Sequence, residues 1–189
     1  MKHIKPAIIL LIIFTLLTGG VYPALITGLA QIIFPARANG SLIIRNGQII
    51  GSVLIGQQFN LPGYFWGRLS ATSGTPYNAT ASGGSNLSVL NPGLKNQVAT
   101  RLDALEKAYP GNNQLVPVDL VTASASGLDP HISVAAVQYQ AARVAKARGL
   151  SLDQVEELIQ EFTQNRLLGI FGEKTVNVLE INLALDKIK

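Results

Sequence analysis

The hydrophobic pattern divides the chain into two unequal parts. No charged residue occurs from Pro6 to Ala36, and apolar residues crowd Ala7–Leu17 and again Val21–Phe34. About 20 apolar residues cross a bilayer, so this run predicts a membrane-spanning helix. A cleavable signal sequence is the competing reading. Lys2 and Lys5 form a basic flank, and Ala36-Arg37-Ala38 has the small-x-small form of a cleavage site. The apolar core of a signal is only about 7–15 residues long, however, and this run continues well beyond that. We therefore expect an uncleaved anchor. Lys2 and Lys5 place the N-terminus in the cytoplasm by the positive-inside tendency, with the remainder outside.

The span has internal features of its own. Gly20, Ala24 and Gly28 recur every four residues, which places three small side chains on one helical face and admits a second helix closely. Pro23 lacks a backbone donor and breaks the ladder locally. Thr27 and Gln31 lie near the same face as candidate interhelical donors.

Beyond the span the periodicity shortens and turns multiply, consistent with 18 glycines and 9 prolines. Ser41–Arg45 and Gln48–Ile55 flank Asn46-Gly47, a strong hairpin signal. Tyr64-Phe65-Trp66 sits between glycines as an aromatic knot. Residues 70–92 form a long loop rich in Ser, Thr, Gly and Asn, and loops of this length often carry function. Asn91-Pro92 opens a helix running to Tyr109, where Pro110-Gly111 stops it. Val116–Thr122 is a short apolar run that predicts a strand. Ser124–Pro130 is a second turn-rich loop. Ser133 caps a helix ending at Gly149, and Ser151 with Gln154 forms a capping box for a helix to about Asn165. Val176–Leu185 fits helix or strand. The expected architecture is α+β: residues 1–36 are the cytoplasmic N-terminus and transmembrane helix, and 37–189 are one extracytoplasmic α+β domain.

Composition narrows the chemistry. Charged residues make up 14% of the chain and mean hydropathy is +0.30, which excludes intrinsic disorder. The absence of cysteine excludes disulfides, a thiol nucleophile and thiolate metal sites. The first acidic residue is Asp103; the chain is +7 up to Arg101 and −3 thereafter. The first half thus supplies no carboxylate for acid–base or metal chemistry. No basic cluster interleaves with aromatics, so no nucleic-acid partner is expected.

His131 is the one histidine outside the N-terminal tail, flanked by Asp129 and Ser133. Ser82, Ser85, Ser124 and Ser126 could complete a hydrolytic triad, but no nucleophile-elbow motif is present, and a structural histidine is the favoured reading. No catalytic residue and no metal site is assigned. Gly169–Thr175 has the wrong spacing for a phosphate loop. Ser82-Gly83-Gly84-Ser85-Asn86 offers backbone donors that suit an anion. The favoured reading there is nevertheless a tight turn with positive φ at Gly83 and Gly84. Residues 82–86, Asp129 and His131 are the candidate functional loops.

Read in order, these segments resemble the C subunits of Kdp-type potassium-transporting ATPases over nearly the full chain. The resemblance is carried by Gly19-Gly20-Val21-Tyr22-Pro23, Tyr64–Arg68 with Ser70-Ala71, Tyr77-Asn78, Ser82–Leu87, Asn91-Pro92, Val121–Ser124, Ser126–Ser133, Arg143–Ala145, Gly172-Glu173, Val176–Leu179 and Asn182–Asp186. The chain departs from the family's usual pattern at Leu69 and at Ser88-Val89-Leu90. The resemblance implies an accessory subunit of a four-subunit K⁺ importer. The partners would be a channel-like K⁺-selective subunit, a P-type ATP-hydrolysing subunit and a small peptide, with membrane lipid around the span. It further implies roles in assembly and as a catalytic chaperone that raises nucleotide affinity. The Ser-Gly-Gly loop would be the nucleotide candidate. No cofactor is expected to be firmly bound, and ATP would act through the complex, because an extracytoplasmic domain does not meet cytoplasmic ATP. The readings from other classes are an anchored extracytoplasmic hydrolase and an independent ligand-binding module.

Overall fold

The computed structural model describes residues 2–188. Residues up to Ile50 form one compact unit, and residues from Gly51 onward form a second.

The first unit is dominated by α1 (Ile4–Leu16) and α2 (Tyr22–Ile33), joined by a wide turn over Leu17–Val21. In that turn the Tyr22 N–H reaches back five residues to the Leu17 carbonyl. Pro23, the second residue of α2, lacks the donor that would continue the ordinary ladder. The break expected at Pro23 therefore takes the form of a π-turn just before it. Ile4–Ile33 is long and apolar enough to cross a membrane. Its side chains are exposed in the chain taken alone, which water would not tolerate over such an area. Thr18 bonds the Phe14 carbonyl at 2.7 Å. Gln31 was expected to face a neighbouring helix, but its amide exchanges bonds with Asn39, at 3.1 and 3.3 Å. Asn39 follows α3 (Pro35–Ala38). Next, β1 (Leu42–Arg45) and β2 (Gln48–Ser52) pair across Asn46-Gly47. Asn46 and Gly47 both have positive φ, +52° and +77°, as a twisted two-residue hairpin turn requires.

The second unit is α+β. It contains α4 (Pro92–Ala108), α5 (Val118–Val121), β3 (His131–Ser133), α6 (Val134–Arg148), α7 (Leu152–Phe162), β4 (Thr163–Gln164), β5 (Thr175–Asn177) and α8 (Val178–Leu185). The three strands pair antiparallel with β5 in the centre: Ile132 opposes Val176, and Val176 opposes Thr163. The helices start where short polar side chains supply missing acceptors. Asn91, Ser133, Ser151 and Asn177 each accept backbone N–H groups of their helix. The Ser151–Gln154 box is complete, and Gly149 ends α6 in the left-handed region at φ +68°. Phe65, Leu120, Ile132, Val137, Val144, Val155, Val176, Ile181 and Leu185 form the core.

Two expectations change, and one open reading resolves. The apolar run Val116–Thr122 is a single helical turn, not a strand. Pro117 caps it with φ −59°, and the turn buries Leu120 and Val121 together. The α7 helix stops at Phe162, because Thr163 turns extended and enters the sheet. Val176–Leu185 is both strand and helix, divided by Asn177, whose side chain accepts from Leu179 and Glu180.

Candidate functional site

Tyr64–Arg68 has no strand partner, yet its backbone is buried and must be satisfied. Two amides from different helices do this. Asn182 of α8 accepts the Phe65 N–H at 2.8 Å and donates to the Phe65 carbonyl at 2.9 Å. Gln140 of α6 does the same for Trp66, at 2.8 and 3.1 Å. Each amide imitates one rung of a β-ladder.

Arginines complete the cradle. Arg143 bonds Gln140 at 2.6 Å and also the Pro62 carbonyl. Its guanidinium lies 4.6 Å from the centre of the Trp66 ring, and that of Arg101 lies 4.9 Å from it. The indole thus sits against two cations. Arg101 also holds the Gly67 and Leu120 carbonyls, both at 3.0 Å. Burial lowers the pKa of both arginines, that of Arg143 to about 10 with Arg101 adding repulsion. Arg148 ties the Gly63 and Leu185 carbonyls to Asp186, which also accepts from the Tyr64 hydroxyl at 2.9 Å.

At the end of this segment Arg68 meets Asp129 at 3.3 Å. The Asp129 carboxylate accepts the His131 backbone N–H at 3.0 Å, and the His131 ring lies 3.7 Å away. Partial burial raises the Asp129 carboxyl, but His131 and Arg68 outweigh it and hold the pKa below the usual value. Arg68 Nε is buried and has no hydrogen-bond partner.

The loops interlock around Ser70. Its hydroxyl donates to the Gly127 carbonyl at 2.7 Å and accepts the Tyr77 N–H at 2.8 Å. The Tyr77 hydroxyl donates to the Arg68 carbonyl at 2.6 Å. Burial pushes the Tyr77 phenol up to about 12. The Ser82–Gly84 stretch lies on the Ser124–Gly127 loop: the Gly83 N–H and the Ser82 hydroxyl both donate to the Ser126 carbonyl, at 2.9 and 3.1 Å.

A family model described as "K+-transporting ATPase, c chain" matches residues 4–187. The chain belongs to the KdpC family. It is 60% identical over 190 residues to a potassium-transporting ATPase KdpC subunit of Polaromonas naphthalenivorans (strain CJ2), covering 100% of this chain and 97% of that one. It is 60% identical over 185 residues to the protein of the same name from Herpetosiphon aurantiacus, covering 98% and 96%. To that of Methylococcus capsulatus it is 56% identical over 188 residues, covering 100% and 99%.

The loop residues singled out by sequence lie mainly in two places. Ser82, Gly83 and Gly84 belong to the interlocked loops, whereas Asp129 and His131 belong to the Arg68 cluster. The positive φ expected at Gly83 and Gly84 is absent; the left-handed residues of these loops are Gly74, Tyr77, Asn86 and Gly127, at +83°, +58°, +50° and +68°. Gly84 is required for a different reason. A Cβ there would lie 2.9 Å from the Ala125 carbonyl oxygen. The Gly83 N–H that could have faced an anion is engaged by Ser126. Of the serine hydroxyls, Ser133 bonds Asp119 at 3.2 Å, Ser82 donates to the Ser126 carbonyl, and Ser126 accepts from the Leu128 N–H. Among the described residues, no group of three or more His, Asp or Glu could hold a metal. Gln140 and Arg101 belong to no motif in the sequence, and Asn182 enters only with the family resemblance. Gln140 and Arg143 were detectable, because they fall on the face of α6 that buries Val137, Ala141 and Val144.

Proposed function

We propose that this chain is a non-catalytic accessory subunit of an ATP-driven potassium importer, acting in assembly and in coupling. The observation that carries the reading is the family match over residues 4–187. The geometry agrees with it. Gln140, Asn182, Arg101 and Arg148 around Tyr64–Arg68 hold backbone groups, which supports a structural role for this segment. The partners are a channel-like K⁺-selective subunit, a P-type ATP-hydrolysing subunit and a small peptide subunit. Gly20, Pro23, Ala24 and Gly28 pack against a partner helix. The N-terminus lies in the cytoplasm and the second unit lies outside, with Lys2 and Lys5 as the supporting charges.

In this reading the chain acts as a chaperone of the pump by stabilising the conformation that binds ATP tightly. A cytoplasmic nucleotide and an external domain do not meet, so the coupling passes through the membrane subunits. The Ser82–Asn86 loop acts as a folding element, with its Gly83 donor engaged by Ser126.

Single cysteines at Ser85 and Lys187 test the arrangement in intact cells, because the native chain contains no cysteine. Labelling by an impermeant thiol reagent is the expected result. Protection until the cells are permeabilised would reverse the orientation and restore the loop as a direct nucleotide site.

A further inference from the structure

The β1–β2 hairpin has one apolar face that the chain itself does not cover. Side chains alternate along a strand, so Leu42 and Ile44 share a face, and the two-residue turn sets Ile49 across from Ile44. These three are 46%, 64% and 64% exposed. Ile43 and Ile50, on the other face, are partly buried.

The hairpin begins at the level where the apolar helix ends. Asn39 exchanges amide bonds with Gln31 at 3.1 and 3.3 Å, and Gln31 lies in the last turn of α2. Asn39 also donates to the Pro35 carbonyl at 2.8 Å, and the Ser41 N–H donates to that of Ala36 at 2.9 Å. The chain is thus folded back and clamped to the end of α2. Leu42 follows Asn39 closely enough that the strand starts within about 10 Å of the clamp. Cations stand on both sides of the apolar face. Arg37 lies 5.9 Å from the centre of the Phe34 ring, and Arg45 ends β1. Neither has an ion-pair partner among the described residues, and no acidic residue precedes Asp103.

We propose that the hairpin lies on the membrane, with the Leu42, Ile44 and Ile49 face in the headgroup layer and Arg37 and Arg45 on lipid phosphates. The inference rests on Ile4–Ile33 crossing the bilayer and holds for either orientation of that span. The headgroup layer accepts apolar side chains and cations side by side. A protein surface would have to bring carboxylates for two unpaired cations, and the cores of such interfaces are depleted in charge. The hairpin rests in this layer without entering hydrocarbon, where its bare strand edges would lose their hydrogen bonds.

The test uses the full chain with its partner subunits, in nanodiscs of phosphatidylcholine and phosphatidylglycerol. Ile44→Cys, Ile49→Cys and Gln48→Cys each carry an environment-sensitive fluorophore on a chain that has no cysteine of its own. Gln48 is exposed on the opposite face of the hairpin. At Ile44 and Ile49 the expected results are a blue-shifted emission, loss of quenching by aqueous iodide, and quenching by lipid spin-labelled at the headgroup. At Gln48 iodide should quench freely. Adding Arg37→Gln and Arg45→Gln should weaken the headgroup quenching at Ile44, and unchanged quenching would overturn the phosphate contacts. Equal iodide quenching at Ile44, Ile49 and Gln48 would overturn the proposal. Shielding from iodide without quenching by lipid would also overturn it, because another subunit or a second copy of this chain would then cover the face. Ile26→Cys, on the side of α2 away from Ala24 and Gly28, separates the two readings. Tail-labelled lipid should quench a fluorophore there, and without that quenching the span falls together with the hairpin contact.

Discussion

Asn182 and Phe65, 117 positions apart, form a closed pair in which one side-chain amide satisfies both backbone groups of a buried residue, at 2.8 and 2.9 Å. Asn182→Leu leaves an N–H and a carbonyl without partners in the core. A buried group left unpaired costs about 1–3 kcal/mol. With two such groups the variant should be destabilised by about 2–6 kcal/mol, read from urea denaturation of the full chain in detergent.

The two adjacent loop glycines should respond differently to alanine. At Gly84 a Cβ meets the Ala125 carbonyl at 2.9 Å, whereas at Gly83 the nearest atom is 4.0 Å away. Gly84→Ala should lower stability by about 1–3 kcal/mol, and Gly83→Ala should be nearly neutral. Thermal melts of both variants check the contrast. Equal effects would mean that the loop is not fixed against residues 124–127.

Asp129 gives the acid side of stability its sign. Its folded-state pKa lies below the ordinary 3.8. Its stabilising contribution is therefore complete above that value and is lost as pH falls through the lower, folded value. Asp129→Asn should be less stable than wild type near neutral pH, and the gap should close in acid. Melting curves from pH 7 down to about pH 3 test this.

Tyr77 acts at the opposite end. Its phenol, raised by burial from 10.0 to about 12, stays protonated in the folded protein where an unfolded chain would ionise. Stability attached to it is complete below pH 10 and is lost as pH rises towards 12. Absorbance titration should show one tyrosine ionising last, after Tyr139, which burial also raises, and Tyr77→Phe should remove that last step.

Gly28 tests the membrane contact. A Cβ built there meets nothing within 4 Å in the chain alone. Gly28→Leu should leave the melting of the isolated chain unchanged but reduce its co-purification with the other membrane subunits. Undiminished recovery would exclude close helix packing at this position.

Helix starts were legible because they depend on residues within one turn: Ser133, Ser151 and Asn91 cap as their neighbours dictate. The Asn46-Gly47 hairpin is local in the same way. Contacts between distant segments were not legible. Nothing near Val116–Thr122 shows that Leu120 and Val121 bury together from a single turn. Nothing near Gly84 shows that Ala125 presses against it. The Tyr64–Arg68 segment was marked by its aromatics, but its backbone is held by Gln140 and Asn182, at separations of 74 and 117 residues. Position on a face gave the available hint, since an amide within an apolar stripe implies a buried backbone group opposite.

Trp66 is the chain's single tryptophan. It is buried at 5% exposure with the Arg101 and Arg143 guanidiniums against its ring. The protein thus carries an intrinsic optical reporter at the point where α4, α6 and the Tyr64–Arg68 segment converge. Its ultraviolet emission comes from one electrostatic environment, so any event that separates either cation from the indole, or admits water, changes the colour or intensity of light from a single known ring.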